Sequence, residues 1–436
     1  MRVAAASSIM RPTFSSIGRR LAGGSGIGTL MDDLGRALAA GGDVKMLGGG
    51  QPAHIPEVDA LWRRRVGEIL AEPGALERTL GNYDPPRGNP RFIAALAGLL
   101  RREFGWDIGP EHVAVTVGGQ TAFFILFNLF AGRMPDGRDR RILLPLVPEY
   151  VGYADQGLGG PLFRGVRPRI ERTGPHAFKY HVDFDHLDLG DDVAAICVSR
   201  PTNPTGNVLT DGEVLRLSRL AKDRGIPLII DNAYGAPFPD AIFTAATPHW
   251  DDHVILTLSL SKLGLPGTRT GMVVGRPEIV AAVAEMGSVM GLANPNIGQE
   301  IVRPLLESGE ILRLSREVVR PFYAARARRA REWVGECFGD DFDYAVHESE
   351  GALFLWLWFP GLPITSAELY ERLKQRGVLV VPGHHFFYAL DDGPWPHRDE
   401  CVRLTFTMEP DTVREGIRII GDEIRAVHAA CGPRRA

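Results

Sequence analysis

The sequence is poor in cysteine, in long apolar runs and in net charge, and each shortage closes off a class of protein. Four cysteines, Cys197, Cys337, Cys401 and Cys431, occur in 436 residues. They are scattered and never spaced as CxxC, which argues against a disulfide framework and fits a reducing cytoplasm, the expected compartment. The longest apolar stretches, Phe92 to Leu100 and Ala352 to Phe359, reach only about half of the roughly 20 residues that a helix needs to cross a bilayer, so no membrane partner is expected. With 49 basic against 53 acidic side chains the formal charge is -4, spread along the chain. That balance excludes nucleic-acid binding by bulk electrostatics. The opening MRVAAASSIMRPTFSSIGRR is rich in Arg, Ser and Ala and lacks acidic residues and the apolar core of a secretory signal. It reads as a disordered tail, with Met10 as an alternative start.

Glycine and proline, by contrast, are plentiful at 51 and 32 residues. They are expected in turns and close-packed loops. The length predicts one large α/β domain with a smaller companion. Apolar runs bounded by turn residues recur at HVAVTV, RILLPLV, AAICVS, IPLIID, HVILTLSL and GMVVG, and helical spacing separates several of them, notably at Gln120 to Phe130 and Asp211 to Arg224. This alternation predicts a mostly parallel sheet, whose chemistry gathers in loops at the carboxyl ends of strands. From Ile311 the pattern becomes a long Arg-rich helix to Phe338, interrupted by Pro321, with its arginines solvated. Short strands at GALFLWLWF, VLVVPG and VRLTFTM follow, with helices at Ser366 to Arg376 and Asp411 to His428. The expected division is a large domain over 48–310 and a small α+β domain from 1–47 and 311–436.

Three loops after apolar runs carry the chemistry. Taken singly, each has an ordinary reading. Asn203-Pro204-Thr205-Gly206 is a turn motif, Asp231 at the end of IPLIID can be a helix cap, and Lys262 within SLSKLGLPGTR can be a surface charge. Together they supply an amine able to form a Schiff base, an acid suited to a pyridinium nitrogen, an amide and a phenol (Tyr234), and a dense set of anion donors in Ser259, Ser261 and Arg269. Those are the groups that pyridoxal phosphate requires, in order, at three consecutive strand ends.

With Arg403-Leu404-Thr405-Phe406 added, the motifs N-P-T-G, D-x-A-Y and S-x-S-K-x-x-x-P-G-x-R resemble the class I/II aminotransferases among fold-type I pyridoxal-phosphate enzymes. More narrowly, LGGGQPAHIPE, PEYVGYAD, CVSRPTNPTGNV and IDNAYGAPFP resemble the branch of that family that exchanges amino groups between valine and pyruvate. The resemblance spans roughly residues 25 to 425. It implies that Lys262 holds the cofactor and moves the substrate proton, that Asp231 pairs with the ring nitrogen, and that Asn203 and Tyr234 bond the ring 3-oxygen. Ser259, Ser261 and Arg269 would take the phosphate with the amides of Gly119, Gln120 and Thr121 at a helix N-terminus. Tyr150 would stack on the ring, and Tyr83 would reach the phosphate of a neighbouring subunit, which implies a homodimer with shared active sites. Arg403 would take the substrate carboxylate as a fork, with Asn203 and the Gly50 backbone close by. Ile27 and Phe354, with Phe124, would give an apolar side-chain pocket. The implied reaction moves an amino group between an aliphatic amino acid, valine or alanine, and a 2-oxo acid such as pyruvate.

Some positions depart from the wider family, including Arg200 where many relatives carry Asn and Gly119 where many carry Ser. The segment Ala293 to Gly298 is more polar than the branch leads one to expect; if it meets the substrate, Asn294 or Asn296 would favour a polar side chain. Other readings are weaker. Gly48 to Ala53 formally fits GxGxxA, but a proline stands at the helix entry. Ser259 to Lys262 fits S-x-x-K without the companion S-D-N or K-T-G. His384, His385, His397 and Cys401 could suggest zinc, but the turn and strand onset around them argue against it, and no metal is expected. A regulator on the same fold would need an added DNA-binding domain, for which the residues before the GGGQP turn leave too little room. A lyase, decarboxylase or oxidase would share Lys262, Asp231 and the phosphate groups.

Overall fold

The structure, a computed structural model, describes residues 13–24, 26–39, 43–391 and 393–431, without the side chains of Ile27, Thr29, Leu30, Ala37, Leu38 and Cys431. Met10 lies outside the described residues. The expected tail is partly ordered, contrary to the sequence reading. Ser16–Ala22 forms a helix whose first turn is capped by the Ser15 hydroxyl, accepting from Gly18 N at 3.0 Å, and Arg20 donates to the Gly160 carbonyl at 2.7 Å.

The expected strands assemble into one large sheet. Its order is Val113–Val117, Thr270–Val274, Val254–Ser259, Leu228–Asp231, Val193–Ser199, Asp139–Leu144 and Gly132–Arg133, with Phe163–Gly165 also paired to Asp139–Leu144. The central strands run parallel, and Thr270–Val274 is antiparallel to both neighbours. Val193–Ser199, Leu228–Asp231 and Val254–Ser259 are buried along their whole length, which is why each reads as an unbroken apolar run rather than an alternation. Register sets Ser199 opposite Asp231, and Asp231 opposite Thr257. Three polar residues thus stand side by side at one level, Ser199 and Asp231 ending their strands and Thr257 two residues before the end of its own. At the other side of the antiparallel strand, Thr270 pairs with Val117, so Arg269 abuts the start of the helix Gly118–Phe130.

A second sheet has the order Val381–Pro382, Cys401–Thr405, Phe354–Trp358, Ala345–His347, Ala177–His181 and Arg169–Gly174. Its last two strands form a hairpin that sequence patterning did not flag, because Arg169–Gly174 is an edge strand with mostly exposed, polar residues. Lys45–Met46 pairs with Val378–Leu379, and Thr405 N donates to the Leu47 carbonyl at 2.8 Å, so the N-terminal segment packs on the C-terminal layer. Arg403 sits within this sheet, opposite Trp356.

Pro321 does not interrupt the Arg-rich helix, which corrects the expectation. A wide π turn over Leu314–Val319 feeds directly into Arg320–Phe338, so the chain stays helical through Pro321 and the widened turn just before it is where the ring and its missing N–H are accommodated. The arginines are also engaged: Arg331 pairs with Glu348 at 2.6 Å, Arg320 pairs with Asp240, and Arg326 donates to the Met408 carbonyl. No described helix is long and apolar enough to cross a membrane.

Candidate active site

The carboxyl ends of the parallel strands open on a cavity of about 240 Å³ between the two layers. Most of the polar residues singled out from sequence converge on it: Lys262, Asp231, Tyr234, Asn203, Tyr150, Gly119, Gln120, Ser259, Ser261, Arg269, Gly50 and Arg403.

Asp231 closes its strand at the base of the cavity. It is buried at 9 % exposure, accepts from Ala233 N at 3.0 Å through Oδ1, and receives the Tyr153 hydroxyl at Oδ2. Burial raises its pKa, against the hydrogen bonds and the Lys262 charge that lower it. A cationic partner at this spot would lower it again. Lys262 stands in a short helical turn after the next strand, with Nζ donating to the Gly50 carbonyl at 2.6 Å and lying 5.5 Å from the centre of the Tyr234 ring. Burial pulls its pKa down to about 8, helped by Arg403 and Arg269 and opposed by Asp231. A neutral, nucleophilic amine is therefore accessible near neutral pH.

Arg403 is 5 % exposed. Its Nη1 donates to Asn203 Oδ1 at 2.7 Å and its Nη2 to the Gly48 carbonyl at 2.8 Å, while its Nε is buried without a partner. The guanidinium lies 4.2 Å from the centre of the fully buried Phe354 ring, so Phe354 acts as a floor beneath Arg403. Burial pulls the Arg403 pKa down to about 10, and Tyr234 and Tyr150 oppose that shift. The Tyr234 hydroxyl is pushed up by burial, so it stays a neutral hydrogen-bonding group.

The anion end is built by glycine. Gly118 has φ +78, and a Cβ there would stand 2.8 Å from Arg269 Cζ, so only glycine lets that guanidinium lie over the helix N-terminus. Arg269 itself is held in the left-handed region at φ 50. Ser261 N donates to Ser259 Oγ at 3.1 Å, which orients that hydroxyl. A buried acid at one end, an amine on the wall, and hydroxyls, a guanidinium and free helix N–H groups at the other fit pyridoxal phosphate by size and charge. Glycine also shapes the aromatic wall: a Cβ on Gly152 would stand 2.6 Å from Tyr150 Cζ.

Other residues land elsewhere. Thr121 does not line the cavity; its hydroxyl donates to the Val117 carbonyl at 3.0 Å. Tyr83 is 82 % exposed and away from the cavity of its own chain. Phe123, next to Phe124, provides the apolar wall. Arg200 points away from the cavity and is a clamp, donating to the carbonyls of Leu209 at 2.8 Å and Thr247 at 2.7 Å and to Asp211 at 2.5 Å. Asn294 and Asn296 donate to the carbonyls of Pro86 and Asn82, at 2.7 and 3.1 Å, and so brace the loop that carries Tyr83. His397 lies against the Tyr180 hydroxyl, 3.7 Å from Cys401 Sγ. Sequence reasoning missed Met31, Leu34, Ser199, Thr257 and Tyr153. Only Tyr153, three residues beyond Tyr150, offered a signal.

The family model for aminotransferase class I and II matches residues 68–420. The chain belongs to the class I and II aminotransferases. It is 48 % identical to the valine–pyruvate aminotransferase of Escherichia coli K12, over 96 % of this chain and 99 % of that one. The solved structure of a valine–pyruvate aminotransferase from Salmonella typhimurium LT2 superposes with a TM-score of 0.85 at 46 % identity, covering 93 % of this chain and all (100 %) of that one. An aspartate aminotransferase from Thermus thermophilus shares the fold alone, with a TM-score of 0.74 at 23 % identity over 95 % of this chain and 100 % of that one. As a class I and II aminotransferase the protein is a pyridoxal-phosphate enzyme of fold-type I, an α/β architecture.

Proposed function

We propose that this aminotransferase moves the amino group of an aliphatic amino acid, valine or alanine, to a 2-oxo acid such as pyruvate. The observation that carries this reading is the cation count at the cavity. Among the described residues that line it, the only cations are Lys262, Arg269 and Arg403. Once the amine and the phosphate clamp are assigned, Arg403 alone remains, enough for an α-carboxylate and leaving no second cation for a side-chain carboxylate. Met31, Leu34, Phe123 and Val151 give the remaining wall its apolar character. The names of the relatives at 48 and 46 % identity support the same substrates.

The bound cofactor supplies the carbonyl that accepts amino groups and the ring that withdraws electrons. The protein's part is assigned as follows. Asp231 would hold a negative charge against the ring nitrogen, and Asn203 and Tyr234 would hydrogen-bond the ring 3-oxygen. Arg403 would offer its fork to the substrate carboxylate in place of Asn203 and the Gly48 carbonyl, and so hold the substrate within reach of Lys262. Lys262, with its lowered pKa, takes and returns the α-proton. Ser259, Ser261, Arg269 and the amides of Gly119 and Gln120 would hold the phosphate.

A homodimer working in the cytoplasm belongs to the same proposal. Its support is the exposed apolar set Leu80, Tyr83, Val289 and Leu292, at 66, 82, 88 and 59 % exposure, on segments that Asn294 and Asn296 tie together. Tyr83 would complete the phosphate site of the second copy. The test mixes cofactor-loaded protein with single amino acids and no 2-oxo acid while the visible absorbance of the cofactor is followed. Loss of the band with valine or alanine, reversed by pyruvate, is expected. Persistence of the band with release of ammonia, carbon dioxide or hydrogen peroxide would overturn the transamination reading.

A further inference from the structure

Behind the Tyr150 wall lies a second buried acid that the chemistry above does not use. Glu149 is 2 % exposed, and no ion pair reaches it among the described residues. Its Oε1 accepts from Ser199 N at 2.8 Å, and its Oε2 lies 3.0 Å from Tyr150 N and 2.7 Å from Ser199 Oγ. Ser199 Oγ lies 3.5 Å from the Tyr153 hydroxyl, which in turn donates to Asp231. Four groups from three chain segments thus form one line, Glu149, Ser199, Tyr153 and Asp231, ending at the acid assigned to the ring nitrogen.

The direction of that line depends on one proton. If Glu149 is ionised, Ser199 must donate to it, and the only hydroxyl left between Ser199 and Asp231 is that of Tyr153, for which the two compete. If Glu149 carries a proton, Oε2 donates to Ser199, Ser199 to Tyr153 and Tyr153 to Asp231, all in one sense, and each bond polarises the next. Both backbone N–H donors to Glu149 remain satisfied in the second arrangement, since an oxygen that donates a proton still has a lone pair.

We propose that Glu149 is a positioning residue that works in its acid form, as the head donor of the chain Glu149–Ser199–Tyr153–Asp231 that keeps Asp231 ionised for the cofactor. The groups facing Glu149 agree with this. They are Asp231, Tyr153, Cys197 and Tyr388, all acids or neutral hydroxyls and thiols; burial and the nearby Asp231 charge push the Glu149 pKa up to about 8 in spite of its donors. Glu149 N also donates to the Phe386 carbonyl at 3.1 Å, which fixes the carboxyl against the second layer.

The inference rests on the assignment of Asp231 to the ring nitrogen, and the experiment separates the two. Cofactor-loaded wild type, Glu149→Gln, Glu149→Ala, Ser199→Ala and Asp231→Asn are compared by infrared difference spectroscopy and by cofactor dissociation constant, with thermal unfolding of each apoprotein as a folding control. The amide of Glu149→Gln can donate to Ser199 but cannot ionise. The expected results are a protonated-carboxyl stretch in wild type that Glu149→Gln removes, a dissociation constant for Glu149→Gln within about threefold of wild type, and a loss of about tenfold in Glu149→Ala and Ser199→Ala, one good hydrogen bond to a charged group. Absence of a carboxyl band that depends on Glu149, or a Glu149→Gln variant as weak as Glu149→Ala, overturns the proposal. If Glu149 variants fail to fold, Ser199→Ala decides, because it leaves the carboxyl and both backbone donors in place; wild-type affinity there overturns it. An Asp231→Asn variant that binds cofactor as wild type does would instead refute the assignment of Asp231.

Discussion

Gly118→Ala tests the anion end of the cavity with a single methyl group. The new Cβ would stand 2.8 Å from Arg269 Cζ, where carbon atoms normally approach to about 3.5–4.0 Å, so the guanidinium must retreat by about 1 Å. A charge-assisted hydrogen bond stretched by that much is largely lost, worth about 1.5–3 kcal/mol, and the cofactor dissociation constant should rise roughly ten- to a hundredfold. The backbone at φ +78 adds about 1–2 kcal/mol of strain, visible as a lower melting temperature of the apoprotein. The assay titrates apoprotein with pyridoxal phosphate and with pyridoxal. Only the phosphorylated ligand should weaken, and adding Gly118→Ala to Arg269→Ala should cost little more. Equal loss for both ligands, or an unchanged constant for pyridoxal phosphate, would refute the reasoning.

Other perturbations have equally definite outcomes. Below a pH of about 8 the Lys262 amine is protonated, so the rate of cofactor uptake by apoprotein should climb as pH rises through that value; Arg403→Gln removes a like charge and should move the midpoint upward. A rate flat from pH 6.5 to about 9 would contradict the lowered pKa of the amine. Arg403→Lys cannot reproduce the fork and should raise the KM for every α-amino acid by about ten- to a hundredfold, with cofactor affinity little changed; an unchanged KM would remove Arg403 from its role. Arg200→Ala should destabilise the fold by about 1–3 kcal/mol by stranding the carbonyls of Leu209 and Thr247, and should leave KM alone. A shifted KM with unchanged melting would place Arg200 in contact with substrate.

The parts legible in sequence are those that burial on both faces makes conspicuous. Val193–Ser199, Leu228–Asp231 and Val254–Ser259 are buried throughout and mostly apolar, so Asp231 at the end of one run, and Asn203 and Lys262 just beyond the other two, stand out as interruptions. The supporting groups have no such contrast. Ser199 and Thr257 look like ordinary strand residues, and only the register that aligns both with Asp231 reveals them. Met31 and Leu34 form an apolar stripe indistinguishable from core until their helix is placed across the cavity. Arg200 looked like a departure at the site, because spacing along the chain does not say which way a side chain turns. The hairpin of Arg169–Gly174 and Ala177–His181 escaped because an exposed edge strand carries no apolar alternation.

That hairpin binds the two halves of the chain in a way their linear order hides. It is encoded between two strands of the large sheet, yet Val346 and His347 of the C-terminal layer pair with Ala177 and Phe178. A fragment ending near residue 310 would therefore keep the hairpin and lose the strand that zips onto it, baring an unpaired edge beside the buried Phe178 and Tyr180. During synthesis the emerging chain has the same problem: it must hold this edge open until the last third of the protein arrives. Self-association through this edge is the hazard in that interval, because the polar outer strand, with its arginines and glutamate, guards only the opposite edge of the hairpin.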